Sequence, residues 1–411
     1  MKKHPLTSPS VTREESTVTP RRFSRRDILK VGLSGAAVCA AGWPFPAFAF
    51  QPEAPDEELV SFLDMPRTGA NRLGWETLDA WLTPQDQVFN VQHYGIPEFD
   101  AKDFKLEITG LVAKPMPLTM DALKAMPRKD QLMTLECSGN GNSKGFMNAV
   151  YNSRWTGTPL APLLEKCGLD PKAKEIVFLG MDRKAETLRP GTPRELTVEV
   201  PFGRSMSVED AMNLPLLLAY ERNGEPLEKR IGAPLRLIVP GWYGVTNVKW
   251  LTRIDVRDRR YMGRYMGRDY VTVRGERRGN EIVFLETSVA RMNLKSIVAR
   301  VTRRPTRNGL IPLKAYGVVW SDGTEVKKVE VNVDGGAWRE AVLDAEPRAK
   351  FCWILFSIDL GTVKPGKHVI VSRATDANGR VQPAAEDDEI ALKKTYWEAY
   401  ERWPREIQVE A

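Results

Sequence analysis

The sequence predicts an α+β protein with a mixed α/β domain followed by a β-sandwich. Before residue 294, helix signals such as 119–126, with Thr119 as N-cap, alternate with strand-like runs at 104–110, 131–136, 175–180 and 235–240. After residue 294 the helix signals stop. Apolar runs continue there, separated by Gly-containing turns, at 296–302, 313–321, 326–334, 352–360 and 368–376. Short strands at this spacing are typical of an immunoglobulin-like β-sandwich.

The first 49 residues have the layout of a twin-arginine export signal. Arg25 and Arg26 precede an apolar segment at 31–41, and Ala47-Phe48-Ala49 supplies small residues for cleavage. The apolar segment holds about eleven residues, whereas a membrane-spanning helix needs ~20. We therefore expect three parts, namely a cleaved signal at 1–49, a catalytic domain at 50–293 and a β-sandwich at 294–411. The mature protein is expected to be periplasmic, exported in folded form after receiving a cofactor, with no membrane span.

The charge of the chain is concentrated in this predicted signal. Residues 1–49 carry eight Lys/Arg and three Asp/Glu, so their removal lowers the formal net charge from +7 to +2. Both signs are interspersed in the remaining chain, without a basic stripe interleaved with aromatic residues. This pattern excludes the nucleic-acid-binding class.

Cys137 is the cysteine whose surroundings point to chemistry. It ends a strand-like run and opens into the polar loop 138–142, whose glycines allow close approach to a ligand. A cysteine that only caps a buried strand is the alternative. Cys167, on the apolar face of a helix that ends at Gly168, and Cys352, in an apolar run, are predicted to be core residues.

Other residues of the first domain are candidates for binding. The mature chain has no CxxC or HExxH motif and only two histidines, so a bound metal must bring most of its own ligands. His93 lies in a polar, Gly-terminated segment and is either structural or part of a site. Arg236 and Lys249 suit a phosphate-bearing cofactor, or are exposed charges beside a core strand. Tyr270 lies in a solvated loop or faces a pocket.

Five motifs together resemble the sulfite oxidase family of molybdopterin enzymes. They occur in the family's order, as Glu136-Cys137-Ser138-Gly139-Asn140, Arg154-Trp155-Thr156-Gly157, 220–227, 239–244 with 248–251, and Arg268-Asp269-Tyr270. The resemblance implies a molybdopterin-binding domain of mixed α/β fold followed by an immunoglobulin-like dimerisation domain. It therefore implies a homodimer with one molybdenum-molybdopterin per chain.

The same resemblance implies roles for individual residues. Cys137 matches the thiolate that ligates molybdenum, and a soft thiolate suits a metal already held by sulfur. Tyr270 matches a tyrosine that faces the substrate and assists by hydrogen bonding. The residues implied to contact the pterin and its phosphate are Phe89, Asn90, Val91, Gln92, His93, Asp182, Arg236, Asn247, Val248 and Lys249. No haem attachment motif is present, so electrons are expected to leave through a separate protein such as a c-type cytochrome.

The sequence departs from the family pattern where sulfite is bound. Val91 and Asn142 stand where sulfite-oxidising members carry arginines, and Ile231 replaces a histidine of the cofactor site. Each lost guanidinium contact would contribute about 1.5–3 kcal/mol. We therefore expect weak sulfite binding unless other cations, Lys144, Arg154 or Arg268, replace these arginines.

These observations predict a periplasmic molybdenum-cofactor oxidoreductase that performs two-electron oxygen-atom transfer. The leading reaction is oxidation of sulfite or a related sulfur compound, with electrons passed to a cytochrome. An Arg-poor pocket would favour the reverse chemistry, reduction of a sulfoxide of the methionine sulfoxide type. A non-catalytic periplasmic binding protein that uses the β-sandwich is the alternative from a different class.

Overall fold

The computed structural model describes residues 56–64, 72–143 and 145–410, so the predicted export signal and Lys144 lie outside the described residues. Most of the regular structure is β-sheet. The strands, in chain order, are β1 (Glu58–Val60), β2 (Leu106–Gly110), β3 (Met116–Leu118), β4 (Lys129–Glu136), β5 (Val150–Pro159), β6 (Glu175–Leu188), β7 (Leu196–Ser207), β8 (Leu217–Arg222), β9 (Glu225–Pro226), β10 (Arg236–Ile238), β11 (Leu251–Arg257), β12 (Val271–Arg278), β13 (Glu281–Ser288), β14 (Lys295–Arg303), β15 (Ile311–Trp320), β16 (Val326–Val333), β17 (Arg339–Glu340), β18 (Val342–Leu343), β19 (Ile354–Val363), β20 (Gly366–Asp376) and β21 (Arg405–Val409).

The helices are short and lie mainly before residue 294. The α-helices are α1 (Met120–Lys124), α2 (Ala161–Cys167), α3 (Val208–Asn213), α4 (Arg264–Gly267) and α5 (Asp388–Ala391), and single 3-10 turns cover Gln85–Gln87, Ala101–Asp103, Lys229–Ile231 and Gly244–Thr246. In the described part of the chain, no helix has the length and apolar character needed to cross a membrane.

Helix boundaries follow the predicted capping residues. The Thr119 hydroxyl accepts a hydrogen bond of 3.2 Å from the Ala122 amide at the start of α1. Gly168 ends α2 at a φ of +69°, a conformation that glycine adopts without strain. The expectation that helices stop after residue 294 is wrong, because α5 lies in the second half. One helical turn is too short to produce an apolar period, so the sequence gives no signal for α5.

Beside the two-stranded antiparallel sheet of β12 and β13, two five-stranded sheets form the first half of the molecule. One has the order β10-β8-β5-β4, with β9 paired to β8, and the other has the order β3-β2-β11-β6-β7. The β2 and β11 strands are parallel, whereas the other neighbours are antiparallel. Buried side chains of β4 and β5, including Met133, Leu135, Tyr151 and Trp155, share one core. That core fixes the end of β4, which is where Cys137 begins its loop.

The second half is a sandwich of two antiparallel sheets, as predicted. Their orders are β1-β14-β15-β19-β18 and β17-β16-β20-β21. Val298, Val331, Phe356 and Ile370 belong to one core between them. The β1 strand pairs with β14, although residues 50–293 were predicted to belong to the first domain. A three-residue strand carries no recognisable period, so its partner cannot be read from the sequence.

The predicted core cysteines are buried in the structure. Cys167 lies on the inner face of α2 with no exposed surface, and Cys352 is 6 % exposed. Cys352 precedes β19 rather than lying in it, because that strand begins at Ile354. Cys137, Cys167 and Cys352 are all free thiols.

Candidate active site

A pocket of about 620 Å³, including the space open to solvent, lies where β4 ends, and we call it the inner pocket. It brings together most of the residues that the sequence singled out. Its walls include Cys137 and Tyr270 together with Phe89, Asn90, Val91, Gln92, His93, Asp182, Arg236, Asn247 and Lys249. Val248 does not line the pocket but is fully buried, and its carbonyl accepts a hydrogen bond of 2.9 Å from the Leu237 amide.

The loop that carries Cys137 is held in place by hydrogen bonds. The Cys137 amide donates to the Ala149 carbonyl at 2.9 Å, and the Asn140 amide donates to the Cys137 carbonyl at 2.8 Å. The Asn140 side chain donates to Glu136 at 3.0 Å and accepts from the Ala149 amide at 2.9 Å. Cys137 therefore lies at the start of a hydrogen-bonded loop, and its side chain lines the inner pocket.

The Cys137 thiol is protonated in the protein alone. Burial raises the pKa of the Cys137 thiol to about 11, although a hydrogen bond with the Gly139 backbone acts in the opposite direction. A neighbouring metal ion favours the thiolate, because the deprotonated form is the metal ligand. In the described residues, no group of three or more His, Cys, Asp or Glu side chains is arranged to hold a metal ion.

Lys249 and Arg236 place positive charge in the same pocket. The Lys249 ammonium donates to the Asn90 side chain at 2.7 Å and to the Val91 carbonyl at 2.8 Å. Arg236 donates through Nη1 to the Ile231 carbonyl at 3.1 Å, and its buried Nε finds no hydrogen-bond partner among the described residues. Burial and then the charge of Arg236 lower the pKa of Lys249 to about 7. Two neighbouring cations in a buried pocket repel each other, so a bound anion would stabilise both of them.

Backbone geometry keeps these cations close to each other. Gly232 has a φ of +118°, and a Cβ there would lie 3.1 Å from the Lys249 Cβ and 3.2 Å from the Arg236 Cβ.

Asp182 has a buried Oδ1 without a hydrogen-bond partner in the described part of the chain, and burial raises the pKa of Asp182 to about 6. Buried polar atoms normally have partners, so this pocket offers unused donors and acceptors to a ligand.

His93 and Tyr270 also line the inner pocket. The Tyr270 hydroxyl and His93 Nε2 are 2.9 Å apart. Burial lowers the pKa of His93 to about 4 and raises the pKa of Tyr270, so both side chains are neutral near pH 7. The His93 ring stacks on Tyr265 with 4.5 Å between ring centroids, and on Phe202 with 5.5 Å. His93 is thus fixed by aromatic packing and by one hydrogen bond to Tyr270.

The other candidate substrate residues lie outside the inner pocket. Asn142 is exposed, and its amide donates to the Gly139 carbonyl at 3.1 Å. Arg154 is in β5, where its amide donates to Asn223 at 2.9 Å. Arg268 forms an ion pair of 3.2 Å with Glu186. The buried Ile231 contributes its carbonyl to Arg236.

Several pocket residues were not among the predicted site residues. Ser138, Gly244 and Trp250 line the inner pocket and lie in motifs that the sequence analysis quoted. Tyr151 and Phe202 also line it, but they come from β5 and β7 and have no local signal in the sequence. They reach the pocket only through long-range strand pairing.

The inner pocket fits a ligand that combines a thiol-seeking metal with an anionic group. Cys137 supplies a soft sulfur ligand, which suits a metal that carries sulfur ligands of its own. Lys249 and the unpartnered Nε of Arg236 supply charge and a donor for a phosphate. Asp182 and Asn247 add polar atoms between apolar walls. These residues match the composition of a molybdenum-bearing pterin with a phosphate.

Two domain families match the chain. Residues 93–265 match the oxidoreductase molybdopterin binding domain, and residues 286–398 match the Mo-co oxidoreductase dimerisation domain. The order of these two domains agrees with the predicted order of a catalytic domain and a dimerisation domain. Cys137, Lys249 and Arg236 all fall within the first match.

Known proteins show the same likeness. Mitochondrial sulfite oxidase of Mus musculus is 28% identical over 327 residues, which cover 74% of this chain and 58% of that protein. NADH nitrate reductase of Solanum lycopersicum is 30% identical over 344 residues, with coverage of 74% and 36%. The chain therefore spans little more than half of the first protein and about a third of the second. The fold resembles sulfane dehydrogenase SoxCD from Paracoccus pantotrophus, with a TM-score of 0.67, 24% identity, and coverage of 92% of this chain and 96% of that one.

Proposed function

The chain belongs to the sulfite oxidase family of molybdopterin oxidoreductases, and from this premise we propose that it transfers an oxygen atom to or from a sulfur compound in a two-electron reaction. The leading reaction is oxidation of sulfite or a related sulfur compound. The observation that carries the proposal is that Cys137 and Tyr270 face one pocket together with Arg236 and Lys249. Because the chain belongs to an enzyme family, the non-catalytic alternative is set aside.

Different residues of the inner pocket would bind different parts of the cofactor. Cys137 would hold molybdenum, whereas Arg236 and Lys249 would bind the phosphate, with Asn247 and Asp182 at polar positions of the pterin. When bound, the cofactor supplies the two-electron redox change and the exchangeable oxygen. The pocket then needs no further redox group from the protein.

Tyr270 would orient the substrate through its hydroxyl. Burial raises the pKa of Tyr270, so the hydroxyl keeps its proton and is a hydrogen-bond donor to an oxygen of the substrate. His93 lies 2.9 Å from that hydroxyl and is neutral, because burial lowers the pKa of His93 to about 4. With its proton on Nε2, His93 would donate to the hydroxyl oxygen, which leaves the hydroxyl proton for the substrate and adds no charge to the pocket.

A second reaction, sulfoxide reduction, is favoured by the residue at position 91. Val91 lines the inner pocket with an apolar side chain, where sulfite-oxidising relatives place an arginine. The cations that remain, Arg236 and Lys249, are the ones assigned to the phosphate. The Solanum lycopersicum relative is named a nitrate reductase, so reduction is also represented among the relatives.

Metal analysis joined to a substrate panel tests the proposal. We expect one molybdenum per chain, together with oxidation of sulfite by ferricyanide or reduction of sulfoxides by reduced benzyl viologen. Cys137→Ser is the matched control and should show neither activity. A native protein that contains stoichiometric molybdenum but converts no sulfur compound in either direction would contradict the proposed reaction.

Localisation and partners form part of the same proposal. Arg25 and Arg26 support export to the periplasm, and the match to a dimerisation domain supports a homodimer. A separate electron carrier such as a c-type cytochrome would complete the redox cycle. Replacing both arginines by lysine should leave an uncleaved protein in the cytoplasm. For the native protein, light scattering should give a mass twice that of one chain. Periplasmic accumulation of the double variant would exclude the twin-arginine route.

A further inference from the structure

A second cavity adjoins the inner pocket and shares His93 and Tyr270 with it. It holds about 870 Å³, including the space open to solvent, and we call it the outer cavity. Its aromatic lining consists of Tyr94, Tyr265, Tyr270, Tyr396 and Trp397, and the charged Lys184, Arg264 and Asp269 complete the cavity. A substrate that approaches the Tyr270 hydroxyl through this opening would therefore pass between aromatic rings.

The second half of the chain contributes the outer part of this lining. The Trp397 ring stacks on Tyr270, with ring centroids 4.2 Å apart and an angle of 25° between the planes. Tyr396 lies against Trp397 with a centroid distance of 4.0 Å, and Tyr396 is 53% exposed. The two rings thus extend the aromatic wall from Tyr270 to the protein surface.

The backbone of this aromatic pair is held in a strained conformation. Glu398 follows Trp397 and has a φ of +56°, which is unfavourable for a residue other than glycine. Its amide donates to the Ser138 carbonyl at 2.8 Å, beside Cys137, and its carboxylate accepts a hydrogen bond from Thr272. The Lys393 ammonium donates to the Trp397 carbonyl at 3.0 Å. Strain supported by several hydrogen bonds is typical of functional segments.

Two cations line the outer cavity, the exposed Lys184 and Arg264, and Arg264 and the neighbouring Arg268 are already paired with carboxylates. Arg264 lies 2.6 Å from Asp269 and 3.1 Å from Glu186, and Arg268 lies 3.2 Å from the same glutamate. Glu186 is buried, so these pairs are partly shielded from water. An incoming oxyanion would have to compete with these carboxylates for both guanidinium groups. Tyr396 is exposed and Trp397 is half-buried, so these two rings keep surface for contact with an uncharged group.

We propose that the outer cavity is a subsite for the organic substituent of a sulfur substrate, with Trp397 and Tyr396 packing against its alkyl or aryl group. The inference rests on the proposed sulfur chemistry and narrows the substrate class from inorganic sulfite to organic sulfoxides and their sulfides. Sulfur and methyl groups make favourable contacts with aromatic rings, and aryl groups stack on them. The sulfur–oxygen group would then face the Tyr270 hydroxyl in the inner pocket.

Binding of two uncharged sulfones to the molybdenum-loaded protein tests the subsite without turnover. Dimethyl sulfone and methyl phenyl sulfone share the sulfur–oxygen group and differ in one substituent, and calorimetry without a reductant measures their affinities. The native protein should bind the phenyl compound about tenfold more tightly. Trp397→Ala should reduce this preference to about twofold or less, whereas Trp397→Phe should retain most of it.

Trp338→Ala is the matched control, because Trp338 is a partly exposed tryptophan of the second half that contacts Arg373 and Arg402 instead. Its preference should equal that of the native protein. If Trp397→Ala does not fold, the more exposed Tyr396→Ala provides the test. Equal affinities of the native protein for the two sulfones would overturn the subsite, as would a preference that survives both alanine variants.

Two assays in the same preparations, ferricyanide-linked oxidation of sulfite and reduction of sulfoxides by reduced benzyl viologen, separate the subsite from the proposed reaction. Turnover of sulfite without a sulfone preference would overturn the subsite and leave the reaction standing. A sulfone preference without turnover of any sulfur compound would support the subsite and contradict the reaction.

Discussion

Lys295 and Glu136 form a buried ion pair with 3.0 Å between the Lys295 Nζ and the Glu136 Oε1. Both side chains are 1% exposed, and Glu136 immediately precedes Cys137. The Lys295 ammonium also donates to the Ala399 carbonyl at 2.8 Å, while Trp320 donates to the other Glu136 oxygen at 2.8 Å. The sandwich therefore fixes the end of the strand that presents the thiol.

Lys295→Met should destabilise the protein strongly, because it leaves the Glu136 carboxylate buried without its cation. Breaking a buried pair from one side costs about 3–5 kcal/mol of unfolding free energy. Adding Glu136→Gln should recover part of this loss, and urea unfolding measures both. Lys327→Met is the control, because its exposed pair with Glu325 should contribute at most about 1 kcal/mol. A Lys295→Met variant as stable as the native protein would contradict this account.

Cys137→Ser should fold normally but lose a sulfur ligand from the metal. The side chain faces the inner pocket, so little packing depends on it, and a serine oxygen is a poor replacement for a soft thiolate. X-ray absorption at the molybdenum edge measures the loss. Cys167→Ala is the control, since that thiol is buried in α2 away from the pocket, and its metal spectrum should be native. An unchanged sulfur shell in Cys137→Ser would contradict the assignment of Cys137 as a ligand of the metal.

Lys249→Gln should lower the amount of bound cofactor without unfolding the chain. The variant removes a cation whose pKa is lowered to about 7 by burial, so the empty protein loses an unfavourable charge while the phosphate loses a partner. Molybdenum content by mass spectrometry, compared with the thermal midpoint, distinguishes the two effects. Lys184→Gln, at an exposed position of the outer cavity, should keep full cofactor content. Equal molybdenum in both variants would place the phosphate elsewhere.

The pair of His368 and Asp334 should make the stability of the sandwich depend on pH. Burial lowers the pKa of His368, but hydrogen bonds with Asp334 and the Lys364 carbonyl outweigh it, so the folded pKa is raised above the usual 6.5. The stabilisation is complete below pH 6.5 and is lost as the pH rises through the folded pKa. Thermal midpoints measured from about pH 5.5 to about pH 8.5 follow this loss of stability, because the range includes the usual histidine pKa and the values above it. His368→Gln should flatten this part of the profile, and a native profile in that variant would exclude the pair as its cause.

Residues with a local signal were found from the sequence, whereas residues brought in by long-range pairing were not. Cys137 follows a strand and precedes a Gly-rich loop, so its position at the pocket could be predicted. Phe202 and Trp397 reach the same region through β7 and through a loop near the C-terminus, and nothing in their own segments indicates this. Strand register and loop docking depend on contacts distant in sequence, which single-sequence patterns do not record.

The buried pair of Glu136 and Lys295 was not predictable for the same reason. Glu136 belongs to the motif around Cys137, but its partner lies 159 positions later, in the first residue of β14. Lysine side chains are rarely fully buried unless paired, so a lysine at this position gives no indication of burial. Only the packing of the sandwich against the Cys137 loop shows that the charge is buried.

Arginine at position 91 should increase sulfite affinity more than arginine at position 142. Val91 lines the inner pocket and is 42% exposed, so a longer side chain has room to reach a bound anion. Asn142 is exposed and lines neither cavity, so Asn142→Arg is the control and should change the KM for sulfite little. Val91→Arg should contribute about 1–2 kcal/mol after desolvation, a fall in KM of roughly five- to thirtyfold.

Molybdenum content and the thermal midpoint must be measured first in the Val91→Arg variant. The Lys249 ammonium lies 2.8 Å from the carbonyl of residue 91, so a new guanidinium brings a second cation close to the phosphate site. Repulsion between them would appear as lost cofactor rather than as a changed KM. With full cofactor content, an unchanged KM for sulfite would show that position 91 does not contact the anion. The proposed preference for a less charged substrate would then have to come from the lining of the outer cavity alone.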